Sequence, residues 1–160
     1  MRKRSKYRPR PILTDPVAFT IESITQVSKH KNYLLNLKIK NSESMLSLMR
    51  GTATRDDIDT LVNMSNATEA LYELGFGREY KDVCVDGRVA ILNIVYRAQK
   101  HGKFTPTGEE IRALNMLMEL NDAQMDVITV GDMIKAIALV NQKIKHNRDT
   151  TKLPLSENIK

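Results

Sequence analysis

The chain has 160 residues, 41% hydrophobic and 28% charged, which supplies enough apolar material for one globular domain and too much for a disordered chain. Its net charge of +6 resides in the first ten residues, and residues 11–160 carry equal numbers of basic and acidic side chains. A single cysteine, Cys84, excludes an intramolecular disulfide, and no apolar run approaches the roughly 20 residues that span a bilayer. With no apolar segment behind the basic N-terminus to act as a secretory signal, the expected location is cytoplasmic.

The segment "MRKRSKYRPRP" combines Arg2, Lys3, Arg4, Lys6, Arg8 and Arg10 with Tyr7 and no acid. Pro9, Pro11 and Pro16 favour extended backbone, so residues 1–16 are expected to form a flexible basic arm. Residues 17–146 are expected to form a helical domain and residues 147–160 a polar C-terminal tail. A short helix is predicted after Asp15-Pro16, from the spacing of Val17, Ile21, Ile24 and Val27.

Residues 35–40 alternate in strand fashion, but Leu35, Ile39, Leu46 and Met49 share a helical face and Gly51 supplies a stop, so residues 33–50 are expected to be helical. The next helix has Thr54 as its N-terminal cap, Asp56, Asp57 and Asp59 near its positive end, and Gly75 at its close. Its small residues Ser65, Ala67, Thr68 and Ala70 would admit a close neighbour. The segment 81–102 is rich in β-branched residues, but its length favours a helix, with Asp86-Gly87 as the point where it could break.

Thr105 and Pro106 are the expected start of a further helix whose middle, "LNMLMEL", is apolar around most of its circumference and therefore predicted to be the central buried element. Thr129, with Asp132 three residues on, caps the last helix. There Val130, Met133, Ile134, Ile137, Val140 and Ile144 form one stripe, with Lys135, Gln142, Lys143 and Lys145 facing away. The fold expected from these elements is all-α, an antiparallel bundle of five or six helices.

Motifs that name a reaction are lacking. His30, His101 and His146 have no carboxylate three residues before them, as a di-iron bundle would need, and one cysteine with three scattered histidines does not make a zinc site. The acids Asp56 to Asp59 lack the glycine turn and distal glutamate of a calcium loop. "GFG" at Gly75 to Gly77 lacks the ending of a phosphate loop. The shared face of Glu119, Asp122 and Asp126 is read as an exposed acidic flank. The segment 122–140 has the outline of a helix-turn-helix, but its second helix opens with Val130, Gly131 and Asp132, which do not reach base edges. No metal, cofactor or catalytic residue is expected.

The phrases "RKRSKYRP", "LKIKN", "RGTATRDDIDTL", "EALYELGFGREY" and "LNMLMELNDAQMDVITVGDM" together resemble a family of small proteins encoded in bacteriophage and prophage genomes. The resemblance covers about residues 1–146. It implies expression in an infected or lysogenic bacterium and carries over no activity and no site residue. The expected function is that of a non-catalytic accessory protein. Arg2, Lys3, Arg4, Lys6, Arg8 and Arg10 would neutralise phosphates and Tyr7 would stack on bases, with phage replication or regulation as the setting. The alternative is a protein-binding inhibitor or adaptor acting on host machinery, with an acidic protein as the arm's rival partner.

Overall fold

The computed structural model describes residues 16–146. Among them are six α-helices: α1 (Pro16–Ile24), α2 (Lys31–Met49), α3 (Arg55–Glu73), α4 (Lys81–His101), α5 (Gly108–Val127) and α6 (Val130–Lys145). Short 3-10 turns at Val27–Lys29 and Arg78–Tyr80 precede α2 and α4. The described residues form an all-α bundle, as the sequence pattern requires.

The helix ends follow from local chemistry. In α3 the Asp57 N–H donates to Thr54 Oγ1 at 3.4 Å and the Thr54 N–H donates to Asp57 Oδ2 at 2.8 Å, a reciprocal capping box. Thr129 and Asp132 repeat it at α6. Burial works against the charges of Asp57 and Asp132, but hydrogen bonds from Thr54 and Thr129 outweigh it and hold both carboxyls below their ordinary range. At the other end, Gly51 and Gly75 take positive φ just past α2 and α3. The Thr52 and Phe76 N–H groups there close back on Ser47 and Leu71 carbonyls, the paired bonds of a Schellman stop.

The start of α5 differs from the sequence expectation. Thr107, not Thr105, is the cap: its N–H donates to Glu110 Oε2 at 2.7 Å and its Oγ1 accepts the Glu110 N–H at 3.3 Å. The box needs a carboxylate three residues on, which Glu110 supplies to Thr107. Glu110 also forms a bidentate pair with Arg97 of α4, at 2.6 and 3.0 Å, and that guanidinium donates as well to the Thr105 carbonyl.

Helices α2 to α5 close a ring: α2 packs on α3, α3 on α4, α4 on α5 and α5 back on α2, while α3 and α5 touch across it. Met45, Leu48, Ile58, Leu61, Ile91 and Leu117 are among the side chains that fill the interior. Gly87 does not break α4. A Cβ there would lie 2.6 Å from Leu117 Cδ2, so the glycine is what lets α4 and α5 approach this closely. Helix α6 lies outside the ring against α3, and α1 packs on α6. A second, smaller core of Val27, Leu34, Ala70, Leu71, Ile128 and Ala136 joins them.

Three assignments of faces are corrected. The central helix is α3, which touches α2, α4, α5 and α6, whereas Met116 in the middle of α5 is 55% exposed. In α2 the buried face is Leu34, Asn41, Ser44, Met45 and Leu48, and the row Leu35, Ile39, Leu46 and Met49 faces solvent. In α6 the buried residue is Ala136, while Ile134, Ile137 and Ile144 remain largely exposed. Lys143 does not face away: it is tucked against Glu73 at the end of α3 as an ion pair.

Candidate functional site

Because α6 sits on α3 beside the ring, a groove is left over α3 between α2 and α6, with a cavity of about 360 Å³. One wall is Tyr33, Leu37, Lys40 and Asn41 from α2. The other is Met133, Ile137, Val140, Asn141 and Ile144 from α6. Along the base run Thr60, Asn63, Met64, Asn66 and Ala67 of α3, with Asn121 and Met125 of α5 beneath. A volume of this order is at the lower end of the roughly 300–1,000 Å³ typical of ligand pockets.

Local helix geometry explains the lining. Thr60, Asn63 and Ala67 recur at three- and four-residue spacing and so form one row along α3. Their small size leaves the floor low between two taller walls. Ile137 and Ile144, half-exposed members of the α6 stripe, stand on the rim.

The polar groups of the groove divide in two. Asn121 is held: its Nδ2 donates to Thr68 Oγ1 at 3.0 Å, and Thr68 in turn donates to the Met64 carbonyl at 2.8 Å. One turn along α5, Gln124 Nε2 donates to the carbonyls of Thr68 at 3.2 Å and Phe76 at 2.9 Å, locking α5 to the end of α3. Asn41 is different. It is only 3% exposed and lines the groove, and no hydrogen bond to another described residue holds its amide, which is not sealed from water. Asn63 and Asn141 present their amides to the same space from α3 and α6. Lys40 is the one charged side chain among the lining residues.

Other candidate chemistry is dispersed. Asp122 and Asp126 both lie near Lys38 Nζ, at 3.7 and 3.6 Å, and so act as an ion-pair flank between α2 and α5. Burial, together with the charge of Asp126, raises the Asp122 carboxyl against the opposing pull of Lys38. Among the described residues no group of three His, Cys, Asp or Glu side chains is placed to hold a metal ion. Cys84 is buried, and burial followed by the charge of Glu69 pushes its thiol up to about 11, with Arg88 acting in the opposite sense. That is the environment of an inert core thiol rather than of a nucleophile.

Arg2, Lys3, Arg4, Lys6, Tyr7, Arg8 and Arg10 lie outside the described residues. The groove residues Asn41, Asn63 and Asn141 were not singled out in the sequence, where they lie on three separate helices. The available signal was the row Thr60, Asn63, Ala67, which is too small and polar to be an ordinary core stripe. Among the described residues no helix is long and apolar enough to cross a membrane. Neither a family model, nor a curated protein, nor a solved structure matches this chain.

Proposed function

We propose that this is a non-catalytic binding protein that docks a segment of a partner protein in the groove between α2 and α6. The observation that carries the reading is the groove itself: a concave, mostly apolar channel over α3, walled by α2 and α6. The role fits an adaptor or inhibitor, and the phage-type resemblance of the sequence makes host machinery the natural class of target.

The test places a photo-crosslinking benzoylphenylalanine at Tyr33, on the groove wall, or at Arg112, an exposed α5 residue that does not line it. A protein adduct formed from position 33 and not from position 112 is the expected result. Equal adducts from both positions, or none from either, would refute the reading.

A second reading is supported by the charge distribution. The entire net charge sits in residues 1–10, and the rest of the chain is balanced. Arg2, Lys3, Arg4, Lys6, Arg8 and Arg10, with Tyr7, would then hold nucleic acid by phosphate neutralisation and stacking, leaving the groove free for the protein partner. Fluorescence anisotropy with single- and double-stranded DNA, at low and moderate salt, compares the full chain with one lacking residues 1–11. Salt-steep binding that disappears with the arm is expected, and unchanged affinity would eliminate this role.

A further inference from the structure

The groove presents amides from three different helices to one space: Asn41 from α2, Asn63 from α3 and Asn141 from α6. Resting on the docking role above, we infer that its ligand is an extended peptide strand of a partner protein, held through its main chain and carrying an acidic side chain opposite Lys40.

The chemistry of the amide selects the conformation of the ligand. Each asparagine offers one acceptor oxygen and two N–H donors, the complement of a peptide unit's N–H and C=O. An extended strand turns those groups sideways along its length, free to pair. A helix has already used them on itself. A helical ligand pressed into the groove would bury Asn41 with no partner for its amide, whereas an extended strand satisfies it.

The dimensions agree. From Met133 to Ile144 the α6 wall runs about 17 Å at the helical rise per residue. An extended strand covers that length with about five residues. Alternate side chains would point down onto Met64 and Met125, whose flexible thioethers adapt to different apolar shapes. The others would face the rim.

Charge sets the remaining preference. With Lys40 as the one charged lining residue, a carboxylate on the strand gains a partner and a lysine meets repulsion. A nucleic-acid strand would bring several phosphates to a groove offering one cation, which the protein ligand does not.

The probes are fluorescein-labelled octapeptide mixtures of leucine, valine and serine with one proline to suppress helix and a fixed central aspartate. They are titrated by anisotropy against the full chain. Matching mixtures carry a central lysine, or replace the proline and serine with alanine to favour helix, and a labelled single-stranded oligonucleotide is run in parallel. The aspartate mixture should bind saturably and better than the lysine mixture. Asn141→Ala and Lys40→Glu, both at solvent-reaching positions, should each weaken that binding by about fivefold or more. Lys40→Glu should also reverse the charge preference. Far-UV circular dichroism checks that each variant is folded.

Binding by the wild type that neither variant weakens would overturn the inference, as would no binding of the aspartate mixture. Preference for the helix-forming mixture would overturn the extended strand while leaving the docking role intact, and the Tyr33 crosslink separates that case from failure of both. Competition by the oligonucleotide for the same site would assign the groove to nucleic acid instead. Dimerisation in sedimentation that Asn141→Ala abolishes would assign it to a second copy of the chain.

Discussion

Replacing Gly87 by alanine sets two physical effects of opposite sign against each other. Gly87 lies inside α4, where alanine is ordinarily favoured over glycine by up to about 1 kcal/mol, because glycine loses more backbone freedom on folding. The new methyl would meet Leu117 Cδ2 at 2.6 Å, Cβ at 3.0 Å and Cγ at 3.1 Å. Leu117 is fully buried in the ring interior, so its side chain has no open space to move into. Overpacking of this kind costs about 1–3 kcal/mol. The net expectation is a loss of about 1 kcal/mol, read as a urea midpoint lowered by about 0.5 M for a slope typical of a small domain. Leu117→Ala alone should cost about 2–5 kcal/mol through the cavity it leaves. In the double variant the new methyl occupies part of that cavity, so the pair should be more stable than the sum of the singles by about 1 kcal/mol. A midpoint that rises in Gly87→Ala, or a strictly additive cycle, would refute the claim that Gly87 is present for the approach of α5.

Two further variants address the junction of α4 and α5. Arg97→Met leaves Glu110, only 7% exposed, without its guanidinium. Breaking a buried pair costs about 3–5 kcal/mol, reduced here to about 2 kcal/mol because the Arg97 side chain is 32% exposed to screening water. Burial alone would raise the Glu110 carboxyl, but Arg97 and Thr107 hold it below its ordinary range. Its contribution is therefore fully present above the unfolded value of about 4.3 and is lost as the pH falls through the lower folded value. The stability gap between wild type and Arg97→Met should narrow below about pH 4, and a gap that widens on acidification would contradict the assignment. Thr107→Ala should cost about 1 kcal/mol by urea denaturation and Thr105→Ala only a few tenths; the reverse order would return the helix start to Thr105.

The parts of this fold that were legible in the sequence are those fixed by neighbours along the chain. Thr54 and Thr129 each have their carboxylate three residues on, and Gly51 and Gly75 each end a periodic run, so the ends of α2, α3 and α6 could be read directly. Thr105 misled because Pro106 is a good first helical residue, yet the carboxylate that decides the box, Glu110, is in register with Thr107. Faces were harder to read, since burial is settled by partners far away in sequence. In α2 a polar Asn41 and Ser44 turn inward while Leu35 and Ile39 turn out, the inverse of what counting apolar residues suggests. The groove was illegible for the same reason: its walls are the first long helix and the last, and no local pattern says that they face one another.

That separation in sequence also sets an order of opening. The strap just before α2 is stitched to the turn between α5 and α6, where the Val27 N–H donates to the Ile128 carbonyl at 3.0 Å and the Val130 N–H to the Thr25 carbonyl at 2.8 Å. Consecutive helices from α2 to α5 meet through short connections, whereas this closure joins segments about a hundred residues apart through few contacts. The ring is therefore expected to resist opening more than the seam, and the groove exists only while α6 is seated on α3. Amide hydrogen exchange should show α1 and α6 opening together at lower free energy than α3 and α4. Opening of α1 and α6 would thus erase the groove while the ring beneath it stayed folded.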